Sequence, residues 1–164
     1  MSDVVIAALL VSGDIMLFGK NKLTVGREIM SEDITDFYYT IDASTNPPIF
    51  QRFHIYFDDG EHYFAYEKRE GDHWPLTEDD ITDKETVKLN EEKWNEFYDF
   101  LKDGKVSKRK DDVTDGGRGP FLFLYSSKDR GLYQEFEFDT YKKQKSFENM
   151  CNAIRNADGG KSDV

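Results

Sequence analysis

The pair Asp59-Gly60 constrains the fold more than any other feature, because it separates two stretches in which apolar residues alternate. A two-residue type I′ turn needs positive φ at both central positions, and Asp-Gly tolerates this. Residues 51–57 and 61–68 are therefore predicted to form a β-hairpin. If Asp58 pairs with Glu61, one face carries Phe53, Ile55, Phe57, His62, Phe64 and Tyr66. The opposite face then carries Arg52, His54, Tyr56, Tyr63, Ala65 and Glu67. A slip of one residue would mix the two faces, so the pattern favours this register.

Further elements follow from periodicity and capping. Apolar or alternating runs predict strands at residues 4–11, 15–18, 37–41, 86–89, 121–125 and 133–138. Asn90 is a good N-cap for a helix that ends at Gly104, with the apolar stripe Trp94, Phe97, Tyr98 and Leu101. A last helix is expected after Asp139 or Thr140, with the stripe Phe147, Met150, Cys151 and Ile154.

This order of elements is typical of an α+β fold. We expect one domain over residues 1–157, with a mostly antiparallel sheet of about six to eight strands and two amphipathic helices packed on one face. Residues 158–164 are expected to form a flexible C-terminal tail. Residues 70–85 read as a long acidic loop and residues 105–119 as a polar connector.

Charge is distributed unevenly along the chain. The net charge is −11, and residues 58–103 hold 16 Asp and Glu against 6 Lys and Arg. Nucleic acids and anionic membranes attract the opposite sign of charge, so neither is expected as a partner. A basic protein is the natural electrostatic complement of this central third.

Motifs for catalysis or metal binding are weak. His54 and His62 fall on opposite faces of the hairpin, and the carboxylates at 79–85 lack the spacing of a calcium loop. His73 beside Asp72 is at most a weak metal ligand, and Cys151 lies on an apolar helix stripe. The glycines at 116–119 precede a strand, whereas a phosphate loop leads into a helix. No catalytic residue, metal or cofactor is therefore predicted.

Two segments carry a resemblance to other proteins. The run from Tyr66 to Pro75 and the helix entry from Leu89 to Trp94 resemble small proteins of unassigned function from anaerobic, often gut-associated, Gram-positive bacteria. The resemblance covers roughly residues 36–155, implies a bacterial or phage origin, and carries no functional residue across.

Three functions remain open at this point. The first is a non-catalytic binding module or inhibitor that engages a basic partner, as immunity proteins and phage inhibitors that mimic nucleic acid do. The second is a carboxylate-based hydrolase with a cleft beside the sheet, and the third is a small-ligand-binding or structural domain of the cell envelope. The partner-binding residues predicted for the first function are Glu70, Asp72, Trp74, Glu78, Asp79, Asp80, Glu92, Glu96 and Asp99.

Two expectations concern the tryptophan of this set and the location of the protein. Trp74 is either an exposed interface anchor or a lid over the sheet edge. With its single Cys151 the chain is expected in the cytoplasm, although a native export signal upstream of Met1 stays open.

Overall fold

A computed structural model describes residues 22–108, 121–127 and 134–159. The strands are β1 (Leu23–Thr24), β2 (Ile34–Ala43), β3 (Ile49–Asp58), β4 (Glu61–Arg69), β5 (Ile81–Leu89), β6 (Lys105–Lys108), β7 (Phe121–Ser127) and β8 (Gln134–Glu137). The helices are α1 (Glu91–Leu101) and α2 (Tyr141–Gly159), and single 3-10 turns lie at Ser31–Asp33 and Glu78–Asp80. The prediction of an α+β chain with antiparallel strands and two helices is confirmed for this part of the chain.

The strands follow the order β1-β6-β8-β7-β2-β3-β4-β5, and neighbouring strands pair antiparallel. β7 and β8 share only the pairs Leu124 with Glu135 and Tyr125 with Gln134. This short ladder joins the three strands β1, β6 and β8 to the other five. β5 is the edge strand at the far end of the five.

The hairpin at Asp59-Gly60 has the predicted turn and register. Asp59 has φ of 46° and Gly60 has φ of 80°, as a type I′ turn requires. Asp58 pairs with Glu61 and Phe53 with Tyr66, so Phe53 and Tyr66 lie on the same face. Both are buried, as are their neighbours Ile55 and Phe64. The alternation and the turn were therefore sufficient to fix the register of this hairpin.

Aromatic rings make up most of the main core. The ring centroid of Phe64 in β4 lies 6.2 Å from that of Phe97 in α1. The Phe97 centroid lies 5.3 Å from that of Phe147 in α2. Phe147 also contacts Phe37 of β2 at 5.3 Å between ring centroids. Side chains of both helices therefore contact side chains of the sheet in one apolar cluster. None of the helices in the described ranges is long and apolar enough to cross a membrane.

The expected loop over residues 70–85 is wrong in its second half. Residues 81–85 belong to β5, which begins at Ile81 instead of residue 86. The error has a physical cause, since Asp83, Lys84 and Glu85 have low strand propensity on their own. An edge strand tolerates such residues, because β4 supplies the hydrogen-bond partners and charge on an edge is common.

Other element ends also differ from prediction. α1 stops at Leu101, and the residue with left-handed φ after it is Asp103 at 68° instead of Gly104. Lys105–Lys108, expected in a polar connector, form β6 beside β8. α2 continues to Gly159, two residues into the stretch 158–164 that the sequence assigned to a tail.

Several predictions concern residues that the structure describes only in part or not at all. The strand at 121–125 is present as β7 between β2 and β8, but the burial of its side chains lies outside the described part. The strands expected at 4–11 and 15–18, the glycines at 116–119 and residues 160–164 lie wholly outside the described residues.

Candidate protein-binding surface

α1 has a buried side and a charged side, as its sequence predicts. The Asn90 side chain accepts a hydrogen bond from the Lys93 amide at 2.8 Å and so caps the helix. Trp94, Phe97 and Leu101 are buried in the core. The helix is thereby fixed by its first turn and by its apolar stripe.

The charged side of α1 is exposed and almost unpaired. We call it the α1 acidic surface, and it consists of Glu91, Glu92, Asn95, Glu96 and Asp99. Lys93 pairs with Glu96 at 3.1 Å. Among the described residues no basic group forms an ion pair with Glu91, Glu92 or Asp99. Within the described part of the chain, three carboxylates of this surface are therefore without a cationic partner.

The loop at residues 70–80 uses part of its charge internally. Asp80 accepts a hydrogen bond from the Thr77 amide at 2.7 Å and pairs with His73 at 2.9 Å. The backbone hydrogen bond from Thr77, followed by the contact with His73, lowers the pKa of Asp80. The contact with Asp80 raises the pKa of His73. These carboxylate contacts hold the shape of the loop.

The same loop covers one end of the sheet face that is opposite to the main core. Phe50 of β3 pairs in register with Arg69 of β4, whose guanidinium lies 4.1 Å from the Phe50 ring centroid. Arg69 also donates to the Leu76 carbonyl at 3.3 Å, and both Phe50 and Leu76 are buried. At this end of the face the buried side chain of the loop is Leu76, whereas Trp74, for which an exposed anchor and a lid were the two predicted roles, is 39% exposed.

The nine predicted partner-binding residues do not form one surface. Glu70, Asp72, Trp74, Glu78, Asp79 and Asp80 lie before β5, whereas Glu92, Glu96 and Asp99 lie on α1, which follows β5. β5 has nine residues and therefore spans roughly 26 Å at about 3.3 Å per residue. All nine side chains are at least partly exposed, but the two groups lie at opposite ends of the strand.

Next to the α1 acidic surface lies a cleft that the sequence did not reveal. Its volume is about 500 Å³, and its mouth carries the exposed carboxylates Glu32, Glu61 and Glu91. It is lined by Ser31, Glu32, Ile34, Phe57, Gly60, Glu61, His62, Leu89, Glu91, Trp94 and Asn95. We call it the turn cleft, because the Asp59-Gly60 turn forms one of its walls.

The position of this cleft follows from the pairing of β4 with β5. In the sheet His62 pairs with Leu89, the last residue of β5, so the start of α1 must lie beside the hairpin turn. The sequence predicts the hairpin, but no local pattern in it indicates that β4 pairs with β5. Glu61 and Glu91 are far apart in sequence, and only this pairing brings them to the same cleft.

Aromatic contacts fix the inner wall of the turn cleft. The His62 ring stacks on Trp94 with 4.0 Å between centroids and 12° between planes. Trp94 donates its indole N–H to Ser31 Oγ at 2.7 Å. Burial lowers the pKa of His62, so its imidazole is neutral at pH 7.

No metal centre or thiol site emerges from the described ranges. Nowhere in residues 22–108, 121–127 and 134–159 do three His, Cys, Asp or Glu side chains converge on one point. Cys151 is fully buried, and burial raises its pKa well above the ordinary value, which makes the thiol a poor nucleophile.

Comparison with other proteins assigns no family. No protein-family model, curated protein or solved structure matches the chain, so its function is inferred from these surfaces alone.

Proposed function

We propose that this chain is a non-catalytic binding module that engages a basic partner protein through the α1 acidic surface. The observation that carries the proposal is the set of exposed carboxylates on one rigid helix, of which Glu91, Glu92 and Asp99 have no ion-pair partner among the described residues. Charge of this kind accelerates encounter with a cationic surface and selects against anionic partners.

The α1 acidic surface is a better candidate than the loop at 70–80. Asp80 already accepts a hydrogen bond from the Thr77 amide and pairs with His73. Glu70 already forms an ion pair with Lys68 at 2.6 Å. A carboxylate that holds its own loop in place is less available to a partner. The helix, in contrast, keeps its geometry through Asn90 and its buried stripe while its charged side stays exposed.

We further propose that both helices cover the same face of the sheet. Contacts of Phe97 with Phe64 and of Phe147 with Phe37 support this arrangement, because Phe37 and Phe64 both flank Ile55 in the register. α1 then has one side on the sheet and the other in solvent. The α1 acidic surface is consequently presented outward along its whole length.

Immunity proteins and phage inhibitors are the nearest functional analogues, at the level of charge only. In such proteins a small acidic domain neutralises a basic enzyme or occupies a nucleic-acid channel. A bacterial or phage origin, implied by the resemblance of residues 36–155, agrees with this class. The analogy predicts that the partner carries a basic groove.

The proposal is tested by reversing charge on the helix. The native chain is compared with two triple variants. The α1 variant is Glu92→Lys/Glu96→Lys/Asp99→Lys, and the loop variant is Asp72→Lys/Glu78→Lys/Asp79→Lys. The two triple variants carry the same net charge and differ only in position. Each is immobilised, exposed to lysate of the source organism at low and high salt, and the retained proteins are identified by mass spectrometry.

We expect a basic protein that the native chain and the loop variant retain at low salt and that the α1 variant loses. With the purified partner, the α1 variant should associate at least about tenfold more slowly and show a flatter salt dependence. Equal loss in both triple variants would indicate a non-specific charge effect and contradict the proposal. Retention by all three variants would exclude the α1 acidic surface.

A second candidate is a carboxylate-based hydrolase, and the turn cleft is the observation that favours it. The cleft lies beside the sheet and combines three carboxylates with His62. Among the described residues, however, no hydrogen bond joins His62 to any of these carboxylates. Turnover of chromogenic glycoside or ester substrates that is lost in Glu61→Gln would support the hydrolase and displace the binding proposal.

A further inference from the structure

We propose that the turn cleft receives the side chain of one arginine of the basic partner. This inference rests on the proposed function and specifies its anchor, because the turn cleft adjoins the α1 acidic surface and shares Glu91 and Asn95 with it. A central anchor in a pocket, surrounded by a charged rim, is the usual arrangement of a protein interface.

The shape of the turn cleft suits a long side chain with a charged end. The lining includes the apolar side chains of Ile34, Leu89 and Trp94, against which an aliphatic stem packs. The carboxylates of Glu32, Glu61 and Glu91 are exposed at its mouth. Arginine combines these properties, since its methylene chain packs against apolar groups while the guanidinium stays with polar ones.

The charge of the turn cleft is strongly complementary to a cation. None of the described residues that line it is a lysine or an arginine. Lys88 pairs with Glu61 at 2.9 Å from outside the cleft, but both side chains are about half exposed, so solvent screens this pair. Glu32 and Glu91 form no ion pair with a described residue.

His62 distinguishes arginine from lysine. Its ring nitrogens form no hydrogen bond with any described residue, and its lowered pKa leaves the ring neutral with one nitrogen free to accept. A planar guanidinium presents five N–H groups and can reach both this nitrogen and a carboxylate. An ammonium group is compact and satisfies one such site at a time.

The experiment uses small probes and needs no partner. The Trp74→Phe variant leaves Trp94 as the single tryptophan, and its indole N–H and the amides of Glu61 and His62 are followed by NMR. Nα-acetyl-arginine methylamide should shift these signals with a dissociation constant on the order of 1 mM, as expected for one side chain. The citrulline analogue, which has the same shape without the charge, is the control and should not saturate.

Variants locate the site. Glu91→Gln and His62→Phe should each weaken arginine binding by about tenfold, since the first removes a negative charge and the second an acceptor, while phenylalanine keeps the stack on Trp94. Glu78→Gln, on the loop at the other end of β5, should have a much smaller effect. Equal shifts with citrulline, or shifts that spare the cleft amides, would overturn the arginine anchor. The pull-down contrast between the two triple variants would stand unchanged, so the two proposals fail separately.

Discussion

At the scale of single residues, position in the fold decides how each histidine titrates. His62 is half-buried against Trp94, and burial lowers its pKa. His73 is exposed beside Asp80, and that contact raises its pKa. The two rings have the same chemistry, so the difference comes entirely from their surroundings.

A titration followed by NMR tests this contrast. The midpoint of His62 should fall below the ordinary value of 6.5 and that of His73 should lie above it. Asp80→Asn should move the His73 midpoint down and leave that of His62 in place. Coincident midpoints in the native chain would contradict the assignment.

The same contact makes the stability of the loop depend on pH. Folding raises the pKa of His73. Its contribution to the stability of the loop is therefore complete below the pKa of the unfolded state and is lost as pH rises through the pKa of the folded state. Because the pKa of Asp80 is lowered, its contribution is lost as pH falls through the lowered value. The protection factor of the Thr77 amide in hydrogen exchange should therefore be greatest between these two values, and its decline on the alkaline side should disappear in His73→Gln.

Gly104 is constrained by packing and not by its backbone angles. A Cβ at this position would overlap the ring of Phe136 and lie 2.8 Å from the Leu101 carbonyl oxygen. We expect Gly104→Ala to lower the free energy of unfolding by about 1–3 kcal/mol in urea denaturation. Combined with Phe136→Leu, which makes room, the loss should be less than the sum of the two single changes. Additive losses would show that the ring is not the obstacle.

At the scale of elements, α1 depends on its cap as well as on its apolar stripe. Asn90→Ala removes the acceptor for the Lys93 amide, and we expect it to lower the free energy of unfolding by about 1 kcal/mol. Asn90→Asp keeps an acceptor and should cost much less. Equal losses in urea denaturation would mean that the cap contributes little.

The strands illustrate which elements are local and which are not. The β3–β4 hairpin contains its own turn and its own partner, so Asp59-Gly60 and the alternation sufficed to predict it. The first half of β5 has no turn and no partner strand next to it in sequence, and its pattern of Thr, Asp, Lys and Glu resembles that of a loop. Asp83 is instead held from a distant part of the chain, by Arg155 of α2 at 2.8 Å.

At the scale of the whole molecule, one apolar cluster links nearly all described elements. It includes Val25 next to β1, Phe37 of β2, Leu89 of β5, Phe136 of β8 and Phe147 of α2. A cluster that takes side chains from elements so far apart in sequence cannot be divided without exposing a large apolar area. From this cluster we expect the described part of the chain to fold as one cooperative unit.

Denaturation of Trp74→Phe tests this expectation. Fluorescence of the remaining Trp94 reports on the α1 end of the core, while far-UV circular dichroism reports on all strands and helices. The two urea transitions should coincide within error. A separate transition in circular dichroism would show that the three strands β1, β6 and β8 unfold independently of the other five.

The sequence by itself determined the elements whose cause is local: the type I′ hairpin, the Asn90 cap, the apolar stripes of α1 and α2, and the excess of negative charge in the central third. Tertiary structure decided everything that depends on pairing between distant segments. Extending β5 back to Ile81 placed the loop carboxylates and the α1 acidic surface at opposite ends of a strand. Pairing His62 with Leu89 brought Glu61 beside Glu91 and created the turn cleft. The physical reason is that a turn or a cap is stabilised by contacts within a few residues, whereas an edge strand and a cleft exist only once remote chain segments supply their partners.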